Sequence, residues 1–350
     1  DALRAIAVDY QVLPFVISEQ DATAGGAPLV HDSGNRAGEP AVYERGDVAA
    51  GFAKASAIVE RTFRTSCEVH APMEVHGSVV RWDGNRLTVW DTTQGVFAVQ
   101  GEVARALGLP LANVRVIGHS MGGGFGSKLE AGKYTVIAAL LARATGRPVK
   151  LFLPREDVFR VTGNRPANIM TVKLGAGRDG TLTAIEFSSL GSAGAYPHSA
   201  ATSFMATELY ACPNVRTRDE TVFTNTGKAR PMRAPGYPQC AWALEQAIDE
   251  LAGRLGIDPL ALRLKNVPAT AQRRGNLPYT TAGLADCLRR GAEAFGWQRS
   301  RLPRQNGSKR RGVGVAACFW GYAGGPPSTV IVKLFADGSV NLNMGASDIG

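Results

Sequence analysis

The chain has 350 residues, of which 45% are hydrophobic, and its 39 Lys and Arg against 30 Asp and Glu give a net charge of +9. This length exceeds what one hydrophobic core usually supports, so more than one domain is expected. No apolar run approaches the roughly 18 to 20 residues that a membrane-spanning helix needs, so no membrane span is expected. Basic residues are scattered except for a cluster over 299–311, which we interpret as a solvated connecting segment and not as a nucleic-acid patch.

Five cysteines lie far apart in the sequence, and none forms a C-x-x-C pair. Zinc ribbons and cysteine-ligated iron–sulfur clusters therefore lack their signature, and reduced thiols are expected. The first residues, DALRAIAVDY, lack the basic region and apolar stretch of a secretory signal. A cytoplasmic protein is expected, but the missing signal is not the ground for this expectation.

The first part of the chain predicts an α/β pattern. Residues 1–40 are interpreted as the end of a preceding small α/β domain and a linker, with a short strand over 7–13. Asp47 is predicted to cap a helix that extends to Ala57, where an alternating strand follows. Further on, the pattern predicts a strand at Leu87–Asp91, a helix at Val96–Gly108, a strand at Asn113–Gly118, a helix at Ala131–Gly146 and a strand from Val149.

The second part continues this pattern. Two alternating runs over 169–190 flank Asp179-Gly180, a hairpin signal. Two helices are predicted next, one over Ala241–Leu255 and one starting at Asp258-Pro259. The remaining strands are predicted at 312–318, 328–335 and 339–345. We predict a mixed α+β fold with a first large domain at 41–268, a basic connecting segment at 269–311 and the truncated beginning of a second similar domain at 312–350.

The sharpest chemical feature is HSMGGGFGSK, His119 to Lys128, between a predicted strand and a predicted helix. Glycines let backbone amides approach a ligand closely, and a helix N-terminus favours anions, so an oxyanion is the expected guest. The spacing excludes a Walker loop, because Lys128 lies between Ser127 and Leu129. It also excludes the dinucleotide fingerprint, which requires glycine where Ser127 stands.

The chain resembles the molybdenum hydroxylase family of xanthine dehydrogenases and aldehyde oxidases. Gly122 to Gly126 match the family's Gly-Gly-Gly-Phe-Gly loop beside the molybdenum centre, DTTQGVF matches its glutamine segment, and PMRAPGYPQCAWALE its arginine segment. The terminal NMGASDIG resembles the start of a later cofactor loop. The resemblance implies a fold of the molybdopterin-binding type, with cofactor contacts from Gln94, Gly123, Gly124, Phe125, Gly126 and Arg233. Molybdenum would be held through the pterin, with no direct protein ligand.

Departures from the purine-oxidising members affect the substrate pocket, which the resemblance places at Leu129, Ala234 and Pro235. Those members carry a glutamate directly after the loop lysine, where this chain has Leu129, and Glu130 is one residue late on what is predicted to be a helix start. Their substrate arginine has no match among Ala200, Ala201 and Thr202, and Pro235 replaces an aromatic residue. A pocket without polar anchors favours aldehydes or aromatic N-heterocycles over xanthine.

The resemblance also implies the remaining parts of the enzyme. The cofactor is expected to be molybdenum-molybdopterin in its cytosine dinucleotide form, hydroxylating the substrate with oxygen from water. Electrons would pass to [2Fe-2S] and FAD partner subunits or domains. No catalytic residue is assigned here, because the family's general-base glutamate is expected beyond Gly350, and the isolated chain is expected to be inactive. Relatives occur in the periplasm as well, exported with a partner subunit.

Alternatives remain from the residues alone. The glycine loop is also compatible with a non-catalytic phosphate- or nucleotide-binding module or a degenerate fragment. His70, Glu74 and His76 are ligand types that suit a metal ion, but Pro72 breaks the helix that would align them. We interpret this segment instead as a half-buried strand and turn.

Overall fold

The structure is a computed structural model that describes residues 2–297, 308, 312–321, 329–346 and 348–350. The strands are β1 Ala41–Arg45, β2 Ala57–Thr65, β3 Gly77–Asp83, β4 Arg86–Asp91, β5 Val114–Ile117, β6 Val149–Phe152, β7 Asn168–Ala176, β8 Leu182–Gly194, β9 Val215–Phe223, β10 Thr270–Ala271, β11 Leu277–Pro278, β12 Ile331–Leu334 and β13 Val340–Asn343. The helices are α1 Glu19–Ala22, α2 Val48–Ala53, α3 Val96–Leu107, α4 Lys133–Thr145, α5 Arg155–Val161, α6 Tyr237–Leu255, α7 Pro259–Lys265 and α8 Leu284–Phe295.

The larger sheet has the strand order β1-β9-β8-β7-β2. All its neighbours are antiparallel except β8 and β9, which run parallel. Alternate residues of β7 and β8 point inward, and α6 covers this face through a buried stripe that includes Leu244, Ile248 and Leu251. The alternate residues of the strands and the helically spaced residues of α6 thus pack together in the principal core.

The smaller sheet has the order β5-β4-β3-β6, with β4 and β5 parallel. Helices α3 and α4 cover one face, where Val80, Leu87 and Val89 pack against Val99 and Ala138. Because β4 and β5 are parallel, the segments that follow them emerge at the same edge of the sheet. These segments are the glutamine stretch and the glycine loop.

Local signals predicted the elements well. Asp47 accepts a hydrogen bond from the Ala50 amide and caps α2, and Asp258 caps α7 in the same way. The turn at Asp179-Gly180 joins β7 and β8 as predicted. The mixed α/β fold class is confirmed.

Several predicted elements were wrong. Residues 7–13 and 312–318 form no strand, because their alternating side chains have no neighbouring strand to pair with. Helix α6 begins four residues before the predicted Ala241, at Tyr237. Within the segment predicted to be a polar connection, α8 packs Leu288 into the principal core. The basic cluster of Arg299, Arg301, Arg304, Lys309, Arg310 and Arg311 lies outside the described residues, and the domain boundaries remain a prediction.

All five cysteines are free thiols. In the part of the chain that the structure describes, no helix combines the length and apolarity needed to cross a membrane.

Candidate functional site

The glycine loop, residues 119–132, joins β5 to α4, and Gln94 anchors it from the parallel edge. The Gln94 side-chain oxygen accepts the amides of Gly126 at 2.8 Å and Lys128 at 3.3 Å. A Cβ on Gly124 would lie 2.5 Å from the same oxygen, so only glycine permits this approach. Since Oε1 is engaged by two donors, the Nε2 group of Gln94 is left to donate to a ligand.

The loop also closes against the arginine segment. Phe125 has a positive φ of 54° and accepts the Arg233 amide at 2.9 Å, while its ring is 43% exposed. Gly126 has a φ of 108°, and a Cβ there would lie 2.1 Å from the Pro231 carbonyl oxygen. The structure therefore brings together the six residues to which the resemblance gave cofactor contacts.

Backbone strain is concentrated here. The non-glycine residues with positive φ in the described chain are Ala71, Phe125, Ala234 and Asn276. Three of these lie in the segments that form the site, and such conformations cost about 1–2 kcal/mol each. Strain of this kind persists where surrounding contacts impose it.

The Arg233 guanidinium is exposed and makes no side-chain hydrogen bond or ion pair to any described residue. Its backbone is fixed instead, because the buried Arg165 donates to the carbonyls of Met232 at 2.8 Å and Arg233 at 2.9 Å. A free cationic fork on a fixed backbone suits an oxygen-rich anionic group.

The sequence analysis missed a clamp formed by Glu74 and Lys128. Lys128 is 1% exposed and donates its ammonium to the Glu74 carboxylate and carbonyl, both at 3.0 Å. The same carboxylate accepts the Gly122 amide at 3.0 Å. The clamp therefore joins the two ends of the Gly122–Lys128 stretch. A charged pair at a separation of 54 residues leaves no local pattern, although Glu74 lay in the HAPMEVH segment already noted.

The two histidines of that segment are structural. His70 Nε2 lies 2.7 Å from the Pro231 carbonyl and His76 Nε2 lies 3.0 Å from Ser127 Oγ. Among the described residues no group of three His, Cys, Asp or Glu side chains could hold a metal ion. The segment is also not the half-buried strand that we predicted, because β2 ends at Thr65 and β3 begins at Gly77.

The imidazole of His76 is neutral. Burial, and next the charge of Lys128, lower its pKa from 6.5 to about 3. The Ser127 hydroxyl donates to the Gly124 carbonyl at 2.8 Å, so His76 donates to Ser127 from Nε2. This hydrogen bond supports the loop from below.

A depressed histidine pKa predicts a loss of stability in acid. The unfolded chain binds a proton near pH 6.5 and the folded chain does not, so the free energy of unfolding falls as pH drops below 6.5. The slope is at most about 1.4 kcal/mol per pH unit. We expect His76→Gln to flatten the dependence of the melting temperature on pH between 5 and 7.

Burial raises the pKa of Asp91 to about 6, which makes the folded protein more stable as pH falls, the opposite of the effect of His76. Asp91 is present in both the wild type and His76→Gln, so its contribution cancels when their stabilities are compared. If the melting temperature changes with pH by the same amount in the wild type and in His76→Gln, His76 is not a neutral, buried imidazole.

The expected anion site at a helix N-terminus is not formed. Helix α4 begins only at Lys133, beyond the Gly122–Lys128 stretch, and the Glu102 carboxylate already accepts the Ala131 amide just ahead of it at 2.7 Å. The same late start corrects the prediction for Glu130, which lies in a bend ahead of the helix. Its carboxylate nevertheless turns to Lys228, at 2.7 Å.

The three residues assigned to the substrate pocket lie beside the loop and the arginine segment. Leu129 follows the loop lysine in a bend and is half-buried, and Ala234 has a φ of 60°. Pro235 is exposed and lines a small cavity together with Ala200 and Ala201. The 348–350 segment is also near the loop, since Asp348 forms an isolated bridge with Ser120.

The chain is similar to known proteins. Residues 30–267 match the model of the molybdopterin cofactor-binding domain. The chain is 37% identical over 314 residues to the aldehyde oxidoreductase molybdenum-binding subunit PaoC of Escherichia coli O157:H7, covering 87% of this chain and 42% of that subunit. It is 34% identical over 369 residues to the putative xanthine dehydrogenase molybdenum-binding subunit XdhA of Escherichia coli K12, covering 100% of this chain and 48% of that subunit.

The fold is similar to the aldehyde oxidoreductase of Desulfovibrio gigas, with a TM-score of 0.80, 26% identity, and coverage of 96% of this chain and 38% of that one. The chain spans about half the length of the curated relatives it matches. These similarities support the molybdopterin interpretation of the glycine loop and not a separate phosphate- or nucleotide-binding module.

Proposed function

Since the chain belongs to the molybdopterin-binding subunits of the aldehyde oxidoreductase and xanthine dehydrogenase family, we propose that it provides one wall of the cofactor site of a molybdenum hydroxylase. The observation that carries this proposal is the pairing of Gln94 with the glycine loop. A side-chain amide is fixed by two backbone donors, and its own donor group remains free.

The residues fit an oxygen-rich anionic cofactor. Gln94 and Arg233 offer donors that no described residue engages. Gly123 has no side chain that could cover its own backbone. Gln94 orients the group by donating from Nε2, and Arg233 compensates negative charge. The partly exposed Phe125 excludes water on one side of the loop. The bound group supplies the two-electron oxidation of a carbon centre, with water as the oxygen source.

The substrate is proposed to be an aldehyde or an aromatic N-heterocycle, received beside Leu129, Ala234 and Pro235. Glu130 does not act as a purine anchor in this proposal, because its carboxylate is committed to Lys228 and Arg230. The general base is proposed to come from a part of the subunit outside these residues.

We further propose the cytosine dinucleotide form of the cofactor, with [2Fe-2S] and FAD groups on partner subunits or domains as electron acceptors. The compartment is proposed to be the cytoplasm, or the periplasm after export with a partner. The loop and its anchors have the same task in either compartment.

Removing the two free donors tests the proposal. Gln94→Ala and Arg233→Ala, made in the full-length subunit purified with its partners, are each expected to lower molybdenum content or turnover about tenfold or more, since a charge-assisted hydrogen bond contributes about 1.5–3 kcal/mol. Gln246→Ala, on the exposed side of α6, is the matched control, since among the described residues its side chain donates only to the Trp242 carbonyl. Wild-type molybdenum content and rate in both variants would refute the assigned roles.

A further inference from the structure

A small cavity of about 30 Å³ lies beside Pro235, between the 198–201 and 230–236 segments. Its lining includes Arg165, Arg230 and His198, and no carboxylate belongs to it. Burial lowers the pKa of His198, so this imidazole is a neutral donor near pH 7. The Arg165 side chain is only 9% exposed. The rest of the lining is Ser199, Gly236, Gln239 and apolar residues, so the charge in the lining comes from two arginines, which favour an anionic oxygen group.

Two carboxylates outside the lining approach its arginines, and Glu68 lies 3.9 Å from Arg165 Nε. Glu130 bonds Lys228 at 2.7 Å and lies 3.6 Å from the Arg230 guanidinium. Glu130 is thus shared between Lys228 and the lining residue Arg230, and its hydrogen bond comes from Lys228. His198 is half-buried and makes no hydrogen bond to the described residues, so its ring N–H is available to a ligand.

Small residues leave room for such a ligand. Ala200 and Ala201 line the cavity at the segment where the purine-oxidising relatives were expected to carry a substrate arginine. Two methyl groups there leave the contacts to a ligand anion to the charged Arg230 and the neutral His198, which come from flanking positions. The sequence analysis compared single positions and therefore predicted a pocket without polar anchors.

We propose that this cavity binds a carboxylate of the substrate, so that the enzyme acts on carboxylate-bearing aldehydes or aromatic heterocycles. Arg230 and His198 determine this specificity. The inference rests on the proposed function and names the substrate class of that site. It reverses the expectation of an apolar substrate, because the charge comes from residues outside the family pattern.

The test compares matched substrates on the full-length protein with its partner subunits. The three carboxybenzaldehyde isomers are compared with their methyl esters, which keep the shape and remove the charge. We expect kcat/KM for the best acid to exceed that of its ester by about 10- to 100-fold, the range for a hydrogen bond to a charged group.

Two variants locate the effect. His198→Gln is expected to lower the acid-to-ester ratio several-fold. Ala201→Asp places a carboxylate in the cavity and is expected to bring the ratio below one. Neither variant removes the Arg230 bond to the Ser127 carbonyl, which supports the glycine loop.

Binding separates the inference from the proposed function. Calorimetric titration with benzoate on the same preparations does not depend on turnover, and the Ala201→Asp variant is expected to abolish binding. Ester turnover with no acid preference, or benzoate binding that ignores both variants, would overturn the inference and leave the hydroxylase proposal standing. If benzoate binds as expected but the protein contains no molybdenum and turns over no substrate, the hydroxylase proposal is overturned and the anion-binding cavity remains.

Discussion

Gly126→Ala in the full-length subunit is expected to reduce molybdenum content to a small fraction of wild type. Gly126 has a φ of 108°, and a Cβ there would lie 2.1 Å from the Pro231 carbonyl oxygen. This oxygen cannot retreat freely, because His70 Nε2 holds it at 2.7 Å. Strain and clash together cost about 2–6 kcal/mol. The loop must therefore leave both the Gln94 oxygen and the arginine segment.

The matched control is Gly108→Ala. Gly108 also has a left-handed backbone, with a φ of 64°, but nothing lies within 4 Å of an added Cβ. This variant has the conformational strain of a left-handed alanine but no clash, so its molybdenum content is expected to stay near wild type. Limited proteolysis should show new cleavage in the glycine loop of Gly126→Ala only. Equal molybdenum content in the two variants would mean that the loop does not hold the cofactor.

Lys128→Met is expected to give the second largest effect. It removes a fully buried ammonium and leaves the Glu74 carboxylate, which is 33% exposed, without its cation. Breaking a buried pair costs about 3–5 kcal/mol, and the partial exposure of Glu74 reduces this to roughly 1–3 kcal/mol. We expect a lower melting temperature and partial loss of molybdenum.

The double variant Lys128→Met/Glu74→Gln separates the charge from the shape. It removes the uncompensated carboxylate while the amide still reaches the Gly122 backbone, so it is expected to recover part of the lost stability. Lys54→Met, at an exposed lysine that ends α2, is the control and should behave as wild type. A double variant no more stable than Lys128→Met alone would show that the pair does not act as a clamp.

The elements with local chemical signals were predictable from the sequence. Caps at Asp47 and Asp258 and the turn at Asp179-Gly180 each depend on neighbouring residues, and the structure contains all three. The strand predicted at 7–13 is wrong, because an alternating pattern indicates which side chains share a face but not which neighbouring strand they would pair with. Side-chain pattern alone cannot supply the second strand.

The site was predictable only in part. Gln94 and the glycine loop stood out because they match family motifs, and the structure joins them by hydrogen bonds. The clamp of Glu74 with Lys128 could not be predicted, because its partners meet only after the small sheet has formed. Arg165, which fixes the Arg233 backbone, had no sequence signal for the same reason.

Metal analysis with pterin fluorescence tests directly whether the glycine loop and its anchors hold molybdenum-molybdopterin. It is made on the full-length gene product, purified with its partner subunits from cells that synthesise the cofactor. We expect near-stoichiometric molybdenum with pterin in the wild type, and loss of both in Gly126→Ala. Wild-type protein from competent cells that contains neither molybdenum nor pterin would contradict this expectation.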